Sequence, residues 1–166
     1  FISELKSTTA SNERIKSELH IAQSIQMGMI PKIFPPFPDR NDVDLYAILR
    51  PAKEVGGDLY DFFIANEMLY FTVGDVSGKG VPASLFMAVT RSLFRNIAAQ
   101  EISPGEIVDA LNNTVAENND SNMFVTMLVG RLDLISGRLV LCNAGHNPPV
   151  IFNSETGNVR FMEVKK

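Results

Sequence analysis

The sequence holds one cysteine, no tryptophan and no initiating methionine, and it has no long apolar run. Because Cys142 is alone, no disulfide can form within the chain, and a reducing, cytoplasmic location is the natural interpretation. No apolar run reaches the ~18 residues that a membrane span needs, so a tether to a membrane sensor would belong to another part of a full-length protein. The missing methionine predicts that the chain is a fragment of something longer.

Basic residues are in the minority. Lys and Arg number 15 against 19 Asp and Glu, so the formal net charge is −4. An acidic chain repels the phosphate backbone, and nucleic acid is therefore not expected as the main partner. Hydrophobic residues make up 45% of the chain, which is enough to form the core of one domain.

The first 30 residues contain no proline, and their only glycine is Gly28. They carry a heptad seam with polar residues at three positions. The seam consists of Phe1, Leu5, Thr8, Asn12, Ile15, Leu19, Ala22, Gln26 and Met29. A polar seam residue can fix the register of a two-stranded coiled coil, so one interpretation is a regulatory helix that forms a homodimer. The alternative is an amphipathic helix that packs on the core of its own domain.

The prolines of "IPKIFPPFP" end this helix, because each one removes a hydrogen-bond donor and restricts the residue before it. We therefore divide the chain into a leading helix, residues 1–30, and a domain, residues 31–166. In the domain we expect strands in "DLYAILRP", "DLYDFFIA" and "MLYFTVGDV", then helices beginning near Val81 and after Ser103, then four more strands. This order indicates an α+β domain with antiparallel hairpins rather than a parallel sheet.

Two aspartates follow glycines at predicted strand ends, in "GGDLY" and "VGDVSGKG". If the two strands form a hairpin about Asn66-Glu67, Asp58 lies directly opposite Asp75. Carboxylates that close repel each other, and one of them protonates unless a cation lies between them. Oxygen ligands without a neighbouring His or Cys favour magnesium or manganese. The alternative is an ordinary hairpin whose carboxylates face water.

Three motifs in this order, "PAKEVGGDLYDFF", "FTVGDVSGKGVPASLFMA" and "CNAGHNPPVIF", resemble the SpoIIE-like (RsbU-type) bacterial branch of the PPM phosphatases. These are metal-dependent serine/threonine protein phosphatases. The resemblance covers roughly residues 19–152 and implies an αββα sandwich of antiparallel sheets flanked by helices, with two Mn²⁺ or Mg²⁺ ions between the sheets. The segment "ELHIAQSIQMGMIP" resembles the helix by which an upstream sensor or HAMP-like domain connects to this domain. A change in that helix is then expected to reposition the helix near Val81.

The resemblance assigns roles to several residues. Asp58 and Asp75 become catalytic, metal-binding carboxylates, with Asp75 bridging the ions, and the backbone carbonyl of Val76 becomes a further ligand. Metal-bound hydroxide would attack the phosphorus of a phosphoserine or phosphothreonine in line. The implied substrate is a phosphorylated anti-sigma-factor antagonist of the STAS type. Ser77 stands where eukaryotic relatives carry a histidine proposed as proton donor.

Four residues near the aspartates are candidates for binding the substrate phosphate: Lys53, Arg50, Lys79 and Gly78. The first two are cations just upstream of the first motif, and the last two lie at the glycine-rich start of a helix, where anions are favoured. The alternative for each cation is a solvated surface side chain. A role in orienting water on the metals is considered for Glu54 and Asp61, with a plain surface role as the alternative. His146 is expected to form a structural turn with Asn143 and Gly145, with catalysis as the alternative role.

Family members supply further metal-binding aspartates from a "DG" segment and from a later position, both beyond the last hairpin. This chain stops at Lys166, before either would occur. We therefore expect a domain that is incomplete at its C-terminus, and as given it would bind metal weakly and have little activity. The competing hypothesis is a non-catalytic module that uses the same fold for regulated protein binding.

Overall fold

The computed structural model describes residues 2–117 and 119–162, with side chains from Thr8 onward. In chain order the elements are α1 (Ile2–Met29), β1 (Leu59–Ala65), β2 (Met68–Val76), α2 (Val81–Ala98), α3 (Pro104–Ala116), β3 (Val125–Asp133), β4 (Leu139–Ala144), β5 (Val150–Phe152) and β6 (Val159–Phe161). This is the predicted α+β arrangement. Within these ranges no helix combines the length and the apolar character that crossing a membrane requires.

Strands β1 to β4 form one antiparallel sheet in sequence order. The β1–β2 hairpin has the predicted register, since Leu59 pairs with Gly74 and Ala65 pairs with Met68. The two turn residues, Asn66 and Glu67, both have positive φ, at 48° and 60°. This conformation matches the twist of a two-residue hairpin, and it fixes which residues of the two strands face each other.

Helices α2 and α3 cover one face of the sheet. Met87 and Phe94 of α2 and Ile107 and Leu111 of α3 are buried in the core against it. Phe63 of β1 faces this layer, with its ring centroid 6.3 Å from that of Phe94. Burial of these apolar side chains is the main stabilising term for the domain.

The segment that follows α1 covers the other face of β1. Phe62 points to that face, with ring centroids 5.9 Å from Phe34 and 6.0 Å from Phe37. The Tyr60 hydroxyl donates a hydrogen bond to the Pro31 carbonyl at 2.6 Å. Alternate residues of β1 therefore pack against two different layers, as the period of an extended strand requires.

The predicted strand in "DLYAILRP" is not formed. Its side chains alternate as expected, with Leu45, Ala47 and Leu49 partly buried and Tyr46 exposed. However, no strand within the described ranges pairs with this segment. Alternation reports that one side of an extended chain is buried, whereas a strand also needs a hydrogen-bonded neighbour.

The last two predicted strands are present but short, and they form a separate two-stranded sheet, with Val150 opposite Phe161 and Phe152 opposite Val159. The end of the predicted strand "NVRFMEV" falls on residues 163 and 164, outside the described residues, as does Phe1 of the heptad seam. Within the described residues, the strands thus form the four-stranded sheet and this separate hairpin.

The start of α3 agrees with the sequence. Ser103 is the N-cap, its side chain accepts a hydrogen bond from the Glu106 amide, and the Glu106 carboxylate accepts one from the Ser103 amide at 2.8 Å. Pro104 occupies the first helical position, where its missing N–H has no cost. This capping box satisfies two amides that the helix itself leaves unpaired.

We expect Ser103→Ala to lower the free energy of unfolding by about 1 kcal/mol, because an N-cap amide loses its acceptor. Urea denaturation followed by circular dichroism measures the change. Ser92→Ala is the control, since the exposed Ser92 hydroxyl only donates to the Ala88 carbonyl within α2. Its effect should stay within about 0.5 kcal/mol. Equal losses in the two variants would contradict a capping role.

Candidate metal centre

The hairpin brings Asp58 and Asp75 together at one end of the sheet. Asp58 immediately precedes β1, and Asp75 is the next-to-last residue of β2, one step beyond the Leu59–Gly74 pair. Burial raises the pKa of Asp58, and the charge of Asp75 and a hydrogen bond with its carboxyl group raise it further. His146 has a smaller, opposite effect. The structure therefore contains the pair of repelling carboxyl groups that the register predicted.

Gly57 is required by the close approach of the two strand ends. A Cβ atom at this position would lie 2.9 Å from both the Cβ and the carbonyl oxygen of Val76. Beyond Val76 the chain turns through Gly78 and Gly80, which have φ of 86° and 74°. Positive φ is readily adopted by glycine, so this loop can place its backbone beside the carboxylates.

The two aspartates are exposed in a cleft of about 370 Å³. Its lining residues are Ala52, Lys53, Val55, Gly56, Gly57, Asp58, Asp75, Val76, Ser77, Gly78, Lys79, Gly80, Phe124 and Thr126. Of the residues predicted to bind metal or phosphate, all but Arg50 are in this set. The structure thus brings two lysines, two carboxylates and a glycine-rich loop to one cavity.

Ser77 joins the ends of β2 and β3. Its amide donates to the Phe124 carbonyl at 2.8 Å, and its Oγ accepts a hydrogen bond from the Phe124 amide at 3.0 Å. Ser77 thus bonds to the backbone of Phe124 through both its amide and its side chain. Phe124 itself is exposed at the edge of the cleft.

His146 lies in the expected turn. The Asn143 side chain accepts from the His146 amide at 2.8 Å and donates to its carbonyl at 2.9 Å, and Gly145 has a φ of 74°. In addition, His146 Nδ1 lies 3.0 Å from Thr126 Oγ1, and Thr126 faces Asp75 across β2 and β3. The position of Thr126 beside His146 and Asp75 was not predicted, because it depends on the pairing of strands far apart in the sequence.

Gln26 contacts the wall of the cleft. Its side chain donates to the Gly56 carbonyl at 2.6 Å and accepts from the Gly56 amide at 3.1 Å, and it is 5% exposed. Ile15, on the same predicted seam, is half exposed. The Gln26 contact agrees with the alternative interpretation, in which the leading helix packs on its own domain. The backbone of Gly56 as its partner was not predictable from the local pattern.

Asp61 lies neither beside the predicted metal site nor on the surface, the two positions considered for it from the sequence. Its side chain is fully buried and pairs with two arginines of α2, Arg91 and Arg95. Because alternate residues of a strand face opposite sides, Asp61 lies in the layer between the sheet and α2. It does not line the cleft.

The donors at the cleft fit a hydrated hard cation. Asp58, Asp75 and the Val76 carbonyl offer oxygen donors, and magnesium is commonly held by one or two carboxylates while it keeps several waters. Within the described part of the chain no three His, Cys, Asp or Glu side chains come together as a metal cluster. The ligand set supplied by these residues is therefore a partial one.

Curated relatives align with most of this chain. The Bacillus subtilis phosphoserine phosphatase RsbU is 30% identical over 154 residues, which is 92% of this chain and 45% of RsbU. Protein IcfG of a Synechocystis strain is 33% identical over 167 residues, 83% of this chain and 26% of IcfG. The chain thus spans less than half the length of these relatives.

Solved structures agree with this relationship. The RsbU and RsbW domains of Rv1364c from Mycobacterium tuberculosis match with a TM-score of 0.61 and 31% identity, over 68% of this chain and 32% of that one. The SiaA-PP2C domain of Pseudomonas aeruginosa matches with a TM-score of 0.67 and 18% identity, over 81% of this chain and 55% of that one, which shows a shared fold.

The match to a family extends over more than half of the chain. Residues 66–166 match the family described as Stage II sporulation protein E, SpoIIE. This agrees with the three motifs and with the relatives above. The chain belongs to the SpoIIE family.

Proposed function

We propose that this chain carries part of the catalytic domain of a metal-dependent protein serine/threonine phosphatase. The observation that carries the proposal is the facing pair of Asp58 and Asp75 in an open cleft, where the pKa of Asp58 is raised by burial and by its neighbour. An arrangement that penalises the charge of Asp58 in the absence of a cation becomes favourable when a dication neutralises that charge. A relative named as a phosphoserine phosphatase supports the same reaction class.

Asp58, Asp75 and the Val76 carbonyl would hold Mn²⁺ or Mg²⁺ ions. When bound, these ions would activate water and neutralise charge on the phosphoryl group. Lys53 and Lys79 lie on the same cleft and would bind the phosphate oxygens of the substrate. Exposed lysines have little interaction energy with anions in water, but they attract a dianionic phosphate to the cleft.

The glycine-rich loop contributes through its backbone. Gly78 precedes α2, whose N-cap is Gly80 and has no side-chain cap. The first amides of a helix lack intrahelical partners and carry partial positive charge, so they are suited to an anion. We assign this helix start to substrate binding, together with the two lysines. Arg50 does not line the cleft and is not included.

The partners of relatives suggest the substrate class. One solved relative joins RsbU and RsbW domains in a single chain. Together with the resemblance described above, this supports a phosphorylated anti-sigma-factor antagonist of the STAS type as substrate, in a cytoplasmic signalling pathway. An upstream sensor connected through α1 and a homodimer formed by that helix belong to the same proposal.

A non-catalytic binding module is the second candidate. The observation that favours it is the partial ligand set, since the described residues bring only two carboxylates to the cleft. Such a module would keep the fold and the cleft without turnover. Activity in the presence of metal distinguishes the two candidates.

We expect a version of the protein that extends past Lys166 to hydrolyse p-nitrophenyl phosphate with Mn²⁺. Asp75→Asn should lower the rate by more than the roughly 10- to 100-fold that loss of an outer-shell partner costs, because a direct ligand is lost. The exposed Asp39, outside the cleft, provides the control Asp39→Asn, which should keep the normal rate. Absence of turnover in the unsubstituted protein would favour the non-catalytic candidate.

In the metal-free chain, the repulsion between Asp58 and Asp75 should lower the free energy of unfolding. Because the pKa of Asp58 is raised in the folded state, folding favours its protonated form, and stability falls as the pH rises through that pKa. Asp75→Asn removes the like charge, so in EDTA it should stabilise the chain at about pH 7.5 and have less effect at about pH 3.5. Urea denaturation at the two pH values measures this.

Addition of Mn²⁺ provides the matching measurement. The unsubstituted protein should gain stability, since the ion binds the folded state, whereas Asp75→Asn should gain little. A stabilising effect of the substitution that is the same at both pH values would show that charge repulsion between the two aspartates is not its cause.

A further inference from the structure

A buried ion cluster joins α2 to β1. The Asp61 side chain has 0% exposure, and its Oδ2 accepts from Arg95 Nε at 2.9 Å and lies 3.1 Å from a terminal nitrogen of Arg91. Its Oδ1 accepts from Arg95 Nη2 at 2.5 Å and from the Phe62 amide at 2.9 Å. Both oxygens are thus used, and the Arg95 contact is a two-point one that fixes direction as well as distance.

Arg95 is held by more than this carboxylate. Its Nη2 also donates to the Phe62 carbonyl at 3.2 Å, and its guanidinium carbon lies 5.3 Å from the centre of the Phe63 ring. These contacts attach one side chain of α2 to three consecutive residues of β1. A helix held by apolar contacts alone could slide or rotate on the sheet at smaller cost, because dispersion contacts are not directional.

Stability alone does not account for such a cluster. Buried ion pairs contribute little net stability, and replacing them with apolar side chains is often neutral or stabilising. Leu59 and Phe94, which lie on this layer, are apolar and fully buried. Apolar residues at positions 61, 91 and 95 together would suit the same layer, whereas an apolar residue at position 61 alone would leave Arg91 and Arg95 without their carboxylate partner. The directional constraint is what the ion cluster adds.

The start of α2 is attached to the same stretch of chain. A Cβ atom at Gly57 would lie 3.3 Å from the Ala83 Cβ and 2.9 Å from Val76, so the first turn of α2 packs tightly beside Asp58. The rise along a helix from Ala83 to Arg91 is about 12 Å, and an extended chain from Gly57 to Asp61 covers about 13 Å. The two segments are therefore held side by side at both ends, with Asp58 between the contacts.

We propose that Asp61, through Arg91 and Arg95, is a positioning residue that keeps α2 aligned with β1 and thereby sets the spacing of Asp58 from Val76 and the loop of residues 77–80. Helix α2 continues directly from that loop, so a tilt of the helix moves the loop and the Val76 carbonyl at its start relative to Asp58, whereas Asp75 is held opposite Thr126 in the sheet. The inference rests on the proposed function, because the spacing matters for the ligands of a shared cation. Asp61 acts on the site without touching it.

The test compares Arg95→Gln and Asp61→Asn with the control Thr72→Val in the protein extended past Lys166. Thr72 faces Asp61 across the hairpin, is 1% exposed, and donates its hydroxyl hydrogen bond to the Leu128 carbonyl at 3.1 Å. Its substitution thus removes a buried polar contact in the same layer without breaking the ion cluster. Arg95→Gln leaves Asp61 paired with Arg91, so it keeps the test available if Asp61→Asn does not fold.

Two measurements separate positioning from general destabilisation. Calorimetric titration with Mn²⁺ should show a Kd raised about 10-fold in Arg95→Gln, the effect typical of lost outer-shell support, and an unchanged Kd in Thr72→Val. Amide hydrogen exchange is measured without metal, under conditions in which Arg95→Gln and Thr72→Val have the same free energy of unfolding. Exchange at residues 75–80 should then be faster in Arg95→Gln than in Thr72→Val.

The outcomes are distinct. A normal Kd and normal exchange at residues 75–80 in both cluster variants would overturn the inference, as would the same changes in Thr72→Val. If the unsubstituted protein takes up no Mn²⁺, the proposed function fails, and the inference fails with it. If the unsubstituted protein binds Mn²⁺ and the cluster variants show the same Kd and the same exchange, only the inference fails, and the proposed function does not.

Discussion

The repulsion between two carboxyl groups at the end of one hairpin is the interaction on which the site depends. Asp58 and Asp75 are adjacent because the hairpin turns at Asn66-Glu67 and pairs without a bulge. Gly57 is needed because the strand ends approach so closely that a side chain there would collide with Val76. A cation relieves the repulsion, so the same geometry that disfavours the metal-free state is what would bind the metal.

The wall of this cleft is supported from two directions by polar contacts. Gln26 of α1 binds both the amide and the carbonyl of Gly56, and Asp61 is held by Arg91 and Arg95 of α2. Both contacts are directional and both act within five residues of Asp58. These contacts therefore join α1 and α2 to the stretch of chain that contains Asp58.

Membership of the SpoIIE family and the presence of the site are separate findings. The family follows from the match over residues 66–166, and the relatives are more than twice as long as this chain. The chemistry depends on the donors at the cleft, where the described residues supply two carboxylates and a carbonyl. The fold explains how these come together, but fold by itself does not determine activity.

Local patterns in the sequence were sufficient for the hairpin register, the capping box at Ser103 and the two Gly-Asp motifs, because each depends on residues close together in the chain. The strand expected in "DLYAILRP" was wrong, since pairing needs a neighbour that alternation does not reveal. The partners of Gln26, Asp61 and Thr126 come from distant elements, and only the tertiary structure decided them. A polar residue needs a hydrogen-bond partner when it is buried, and this can be stated from the sequence. Which partner it has is determined by the packing of the helices on the sheet.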